Sequence, residues 1–125
     1  MITIYQIQVT AEDVDRYNAG VSVPAIEAKR EVGFRAKNFT SDMLKYYTEA
    51  YRVYTNDLEE AFEITNLWNK QEKVDVIGDN GSSTSVGDIF RLNERFYIVD
   101  TFGFTELRLF DDEVATLEGW EYEVY

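Results

Sequence analysis

The chain has 125 residues with 24 acids against 12 bases, a formal net charge of −12, and neither cysteine nor histidine. Disulfides, thiolate metal centres, cysteine nucleophiles and any Ser-His-Asp triad are therefore excluded. A field of this sign repels phosphate backbones and anionic membrane surfaces, so direct nucleic-acid binding is not expected and the favoured partners are basic proteins or divalent cations.

The length suits a single domain, and an aromatic content of 15% supplies large buried areas for its core. No apolar run reaches the about 18 residues that a membrane-spanning helix needs. The opening MITIYQIQVT lacks a basic n-region and a long apolar h-region, so it does not read as a signal peptide, and a cytoplasmic location is expected.

Ile2 to Val9 is rich in β-branched residues and reads as a strand at or beside the sheet centre, although its alternation slips around Tyr5 and Gln6. Thr10 with Asp13 three residues on has capping-box spacing, and Gly20 can close the short helix Ala11 to Ala19 in the left-handed conformation. The single proline, Pro24, suits a first helical turn, giving a helix to about Val32 that Gly33 stops. Lys29, Arg30, Arg35 and Lys37 then cluster with Phe34 and Phe39. This is either a contact patch for an acidic partner or a loop whose rings dock on the core, and the second fits the acidic remainder better.

Thr40 or Ser41 caps a further short helix with Met43, Leu44 and Tyr47 inward, and Tyr51 to Tyr54 is a compact strand. Tyr46, Tyr47, Tyr51 and Tyr54 form a tyrosine-rich stretch whose rings either pack with hydroxyls toward water or anchor a partner. The clearest helix spans about 56–69. Asn56 is its N-cap, Glu59 stands at the third position, and Leu58, Ala61, Phe62, Thr65 and Trp68 make an apolar stripe for a sheet. Val74 to Ile77 is extended, and Gly78-Asp79-Asn80-Gly81 is a turn. Ser82 to Ser85 offer hydroxyls to local backbone. Ile89 to Leu92 and Phe96 to Val99 pair through a two-residue turn at Asn93-Glu94, and Gly103 allows a bend between Phe102 and Phe104. Leu107 and Leu109 continue a strand, and the acidic tail from Asp111 ends as one over Trp120 to Val124.

The fold class read from this order is α+β, a single domain. A twisted, mostly antiparallel sheet carries one main helix (about 56–69) on one face, with the shorter N-terminal helices nearby. The expected core is Ile4, Ile7, Leu44, Val53, Phe62, Trp68, Ile89, Phe96, Ile98, Phe104 and Leu109.

Chemistry is sparse. Asp79, Asp88 and Asp100 flank turns and could serve a metal-dependent hydrolase only by converging on one ion. The spacing of a calcium-binding loop is absent, and GDNGSSTSVG lacks the Lys-Ser/Thr pair of a phosphate loop. Asp88 reads better as an acceptor for its own turn, and Asp100 as the closure of the hairpin. No cofactor, catalytic residue or metal ligand is assigned.

The segment from Tyr51 to Glu106 carries a resemblance. Tyr51-Arg52-Val53-Tyr54, the acid-rich helix Leu58 to Asn66, Ser85-Val86-Gly87-Asp88-Ile89 and Phe96-Tyr97-Ile98-Val99-Asp100 with Phe102-Gly103-Phe104 together resemble the YodL-like domain family. Those are small α+β modules of bacteria, phages and mobile elements, sometimes appended to larger polyvalent proteins. The resemblance implies a context and no reaction.

The function expected on these grounds is a non-enzymatic acidic interaction protein, a phage or mobile-element accessory factor that binds a basic or nucleic-acid-binding host protein as an inhibitor or as a nucleic-acid mimic. The alternatives are a self-associating structural component and the hydrolase above. The candidate binding residues are Tyr47, Tyr51, Glu59, Glu60, Glu63, Glu121 and Glu123.

Overall fold

The computed structural model describes residues 1–79 and 81–119. Its strands are β1 (Ile2–Ile7), β2 (Tyr47–Val53), β3 (Val74–Val76), β4 (Ile89–Leu92), β5 (Arg95–Val99) and β6 (Phe104–Leu107). They form one sheet in the order β3-β2-β1-β4-β5-β6, with every neighbouring pair antiparallel. The helices are α1 (Ala11–Asn18), α2 (Pro24–Phe34), α3 (Leu58–Leu67) and α4 (Asp111–Leu117), with short 3-10 turns at Ala36–Asn38, Ser41–Tyr46 and Gln71–Lys73. The architecture is the expected α+β.

Strand β1 is central, and both of its faces are covered. Ile2 and Ile4 pack with Ala61 and Ile64 of α3, whereas Tyr5 and Ile7 pack on the other side with Ala28 and Val32 of α2, Leu44 and Leu117. A strand buried on two faces loses the polar alternation of a half-exposed one, which is why its pattern slips at Tyr5. The partner strand adds a bulge there. Ile4 faces Tyr51 and Tyr5 faces Glu49, leaving Ala50 as the extra residue.

Local signals behave as their chemistry dictates at several joints. Thr10 Oγ1 accepts the Asp13 N–H at 3.1 Å while the Asp13 carboxylate accepts the Thr10 N–H at 3.2 Å, and Gly20 follows α1 with φ +85°. Asn93 takes φ +56° in the two-residue turn that sets Leu92 opposite Arg95.

Other expectations need correction. Helix α3 is not the one main helix: α2 has 11 residues against its 10, and it lies on the opposite face. The N-cap of α3 is Asp57, whose Oδ1 accepts the N–H groups of Glu59 and Glu60 at 3.0 and 3.2 Å. Asn56 instead accepts from the N-terminal ammonium at 2.9 Å. The helix stops at Leu67 because Trp68 turns left-handed, placing its ring edge-to-face on Tyr51 at 5.2 Å.

Gly33 does not stop α2, since burial of Ala28 and Val32 outweighs the about 1 kcal/mol helix cost of one glycine. The helix therefore runs on through Phe34, two residues past its expected end at Val32. Tyr47 opens β2 instead of lying on a helix. Strand β6 ends at Leu107, and the chain from Asp111 winds into α4, where Glu113 reaches back to accept the Phe110 N–H at 2.9 Å and three acids complement the helix N-terminus. Phe62, Trp68, Phe104 and Leu109 are half-buried rather than core. The strand expected over Trp120 to Val124 lies outside the described residues.

Candidate functional site

Two polar regions stand out, one inside the fold and one on its surface. The interior one holds down residues 77–79 and 81–88, which have no regular structure and lie between edge strand β3 and interior strand β4. Backbone in such a segment must find partners when buried, and side chains supply them. Gln6 donates Nε2 to Ser82 O at 2.9 Å and accepts the Ser82 N–H at 3.0 Å. Tyr51 donates its hydroxyl to Ser82 O at 3.0 Å, Asn66 donates to Thr84 O at 2.8 Å, and the Thr65 and Thr84 hydroxyls meet at 2.8 Å. The Thr84 hydroxyl thus reaches α3 rather than local backbone. Gly81 is required by close approach, because a Cβ there would stand 2.5 Å from the Tyr51 hydroxyl.

Asp88 anchors the end of this connection. Its Oδ2 accepts from Gln6 Nε2 and from the Ser85 N–H, both at 2.9 Å. Burial pushes its carboxyl up to about 6, against the opposing pull of those two donors and of the Lys29 charge. Tyr47 donates to Gly87 O at 2.5 Å; burial and the neighbouring Asp88 raise its phenol far above the ordinary range. Buried acids with shifted pKa values are common at active sites. Here the Asp88 carboxylate is engaged by Gln6 and the Ser85 N–H, the Tyr47 and Tyr51 hydroxyls are committed to backbone, and no buried side-chain N or O among the described residues lacks a partner.

This placement corrects several expectations. Tyr47 and Tyr51 are 3% and 2% exposed, so they belong to the interior and cannot present a binding surface. Asp79, Asp88 and Asp100 do not converge. Asp100 closes the β5–β6 turn by accepting the Thr101 N–H at 2.7 Å and the Thr105 hydroxyl at 3.1 Å, and among the described residues no group of three or more acids could hold a metal ion. Glu60 is set apart from its neighbours on α3 by Lys73 at 3.0 Å, which holds its carboxyl below the usual range. Glu121 and Glu123 lie outside the described residues.

The surface region is a groove. Helix α3 covers β1 and β2 but only partly covers the same side of β5 and β6, which it meets through Phe62. Phe104 faces Val99 and Glu106 faces Tyr97 across this pair, and strand alternation puts these residues on the α3 side. A hollow of about 340 Å³ is bounded by Phe62, Val99 and Phe104 with Glu59, Glu63 and Asp100. A second, of about 610 Å³, continues past Asp57, Leu92 and Tyr97, and the two share Glu59 and Phe104. Glu59 and Glu63, one helical turn apart, are both exposed on one rim. Asp100, Thr101 and Gly103 form the other, and Phe102 in the same turn is 95% exposed. Arg95 lies on this face at the far end of β5.

Sequence reasoning found Glu59 and Glu63 but missed Asp100 and the aromatic floor as parts of one surface. The signal was the alternation of Phe104 and Glu106 on an edge strand, which gains meaning only once the strand order is known. No family model, curated protein or solved structure matches the chain.

Proposed function

We propose that this protein is a non-enzymatic acidic interaction module that binds a basic host protein in the cytoplasm, in the setting of a phage or mobile element. The observation that supports it is the groove beside α3. An apolar, aromatic floor lies open between acids, on a chain whose interior polar groups are consumed in holding the fold. Charged rims steer partners and exposed aromatic rings supply contact area, so the combination suits protein recognition. The phage or mobile-element setting rests on the resemblance of residues 51–106 to YodL-like domains. Of the two modes expected, simple inhibition fits better than nucleic-acid mimicry. A mimic needs its acids on one face, and here acids stand on α3 on one side of the sheet and on α4 on the other.

Affinity capture from bacterial lysate, with mass spectrometry at low and high salt, tests this. One basic protein held at low salt and released at high salt is expected. No salt-sensitive partner would overturn the reading.

A second reading has its own observation. Edge strand β3 exposes Val76 to 61%, and Ile77 follows it exposed, so two copies could pair edge to edge. A concentration-independent monomer by light scattering removes it.

A further inference from the structure

We infer that the groove takes an arginine side chain from an extended segment of its partner, with the guanidinium between the acids and its plane against the phenylalanine rings. The inference deepens the acidic-interaction reading and rests on it.

Three features of the groove select this occupant. The first is charge: Glu59 and Glu63 from α3 and Asp100 from the β5–β6 turn bound one hollow from two sides, and among the described residues neither rim glutamate is spent in a salt bridge. The second is the floor. Phe104 is half-buried, edge-to-face with Phe62 (6.5 Å, 86°) and tilted against Phe90 at 5.2 Å, so the ring is fixed by its neighbours while it lines both hollows. A ring held in place offers a π face at little entropic cost. The third is Phe102, which has no packing role at 95% exposure and falls in the chain between Thr101 and Gly103, both of which line the hollow.

A lysine would meet the charge and a ring face only as a compact, strongly hydrated ammonium. Guanidinium is planar, weakly hydrated, able to stack on aromatic faces and able to fork two hydrogen bonds to one carboxylate. The second hollow, running on past Leu92 and Tyr97, gives the chain on either side of the arginine somewhere to lie.

The test uses short peptides, identical except that two positions hold arginine, lysine or citrulline. They are titrated at low salt into the full-length protein labelled with nitrogen-15. Amide shifts are expected at residues 59–63 and 100–106. Arginine should bind about fivefold tighter than lysine, the ratio that about 1 kcal/mol of stacking gives, and uncharged citrulline should not bind. Glu63→Gln should weaken the arginine peptide several-fold, whereas the paired change Asp111→Asn and Asp112→Asn on α4 should leave it unchanged.

Equal affinity for arginine and lysine at the groove would overturn the arginine assignment while leaving the acidic module standing. Shifts spread over α1 and α4, or none at all, would overturn the groove itself. Concentration-dependent shifts at 59–63 and 100–106 without peptide would assign the groove to a second copy instead. Failure of the broader reading shows separately, as the absence of a salt-sensitive partner in capture.

Discussion

At the scale of single residues, Asp88 makes the sharpest prediction. Its carboxyl ordinarily titrates near 3.8 and sits at about 6 in the fold. A folded-state pKa above the unfolded one means that the folded protein binds the proton more tightly. The associated stability is fully present below about pH 4, is lost as pH rises through the window to about 6, and is absent above it. Two pKa units correspond to about 3 kcal/mol. Asparagine keeps an acceptor for Gln6 and Ser85 without the charge, so Asp88→Asn should gain stability relative to wild type between pH 4.5 and 7.5 in urea denaturation. A difference between the two proteins that does not change with pH would show that Asp88 is not the titrating group.

Gly87 tests the same corner by shape. Its φ is +96° and a Cβ would lie 2.9 Å from Val32 Cγ1, so Gly87→Ala should cost about 2 kcal/mol or more in the same assay. A loss under about 0.5 kcal/mol would mean that the turn relaxes freely.

At the scale of elements, α3 is cut at Leu67 by Trp68 and tied to the connection 77–88 through Thr65 and Asn66. Ile64 is fully buried in its interface with the sheet, while Phe62 lines the groove and is half-buried. Ile64→Ala should therefore cost about 2–5 kcal/mol and Phe62→Ala about 2 kcal/mol or less, reversing the ranking that ring size alone suggests. Chemical denaturation of the two variants decides it; a larger loss for Phe62→Ala would place α3 wrongly rotated on the sheet.

The elements also show what a sequence can carry. The capping box of Thr10 and Asp13, the turn at Asn93-Glu94 and the bend at Gly103 were legible, because each is decided by atoms within a few residues. The α+β class followed from the same local order. Helix α4 was not legible: Asp111 to Leu117 reads as an acidic tail until Leu117 is seen buried beside Leu44 and Ile89. Tyr47 and Tyr51 misled for a related reason. A tyrosine's sequence neighbours do not say whether its hydroxyl will find a carbonyl inside, and Gly87 and Ser82, distant in sequence, provide those carbonyls.

For the whole molecule, acids of the described helices stand on both sides of the sheet, so the net charge of −12 and local recognition are separable. Acids on α1 and α4 contribute to the overall field, while Glu59, Glu63 and Asp100 also border an open aromatic surface. The groove exists because α3 spans only part of the sheet. The strand order places β5 and β6 where α3 meets them only along one edge, through Phe62, something no local pattern in the sequence encodes.

The most direct test of this account is a comparison of two double variants with the same change in charge. Glu59→Lys with Glu63→Lys alters the groove, and Asp111→Lys with Asp112→Lys alters the opposite face, each shifting net charge by the same amount. With folding checked by circular dichroism, both are used to capture the basic partner at low salt. Loss of capture by the groove variant and retention by the α4 variant is the predicted result. Equal weakening of both would contradict it, because binding would then follow the overall field and not the groove.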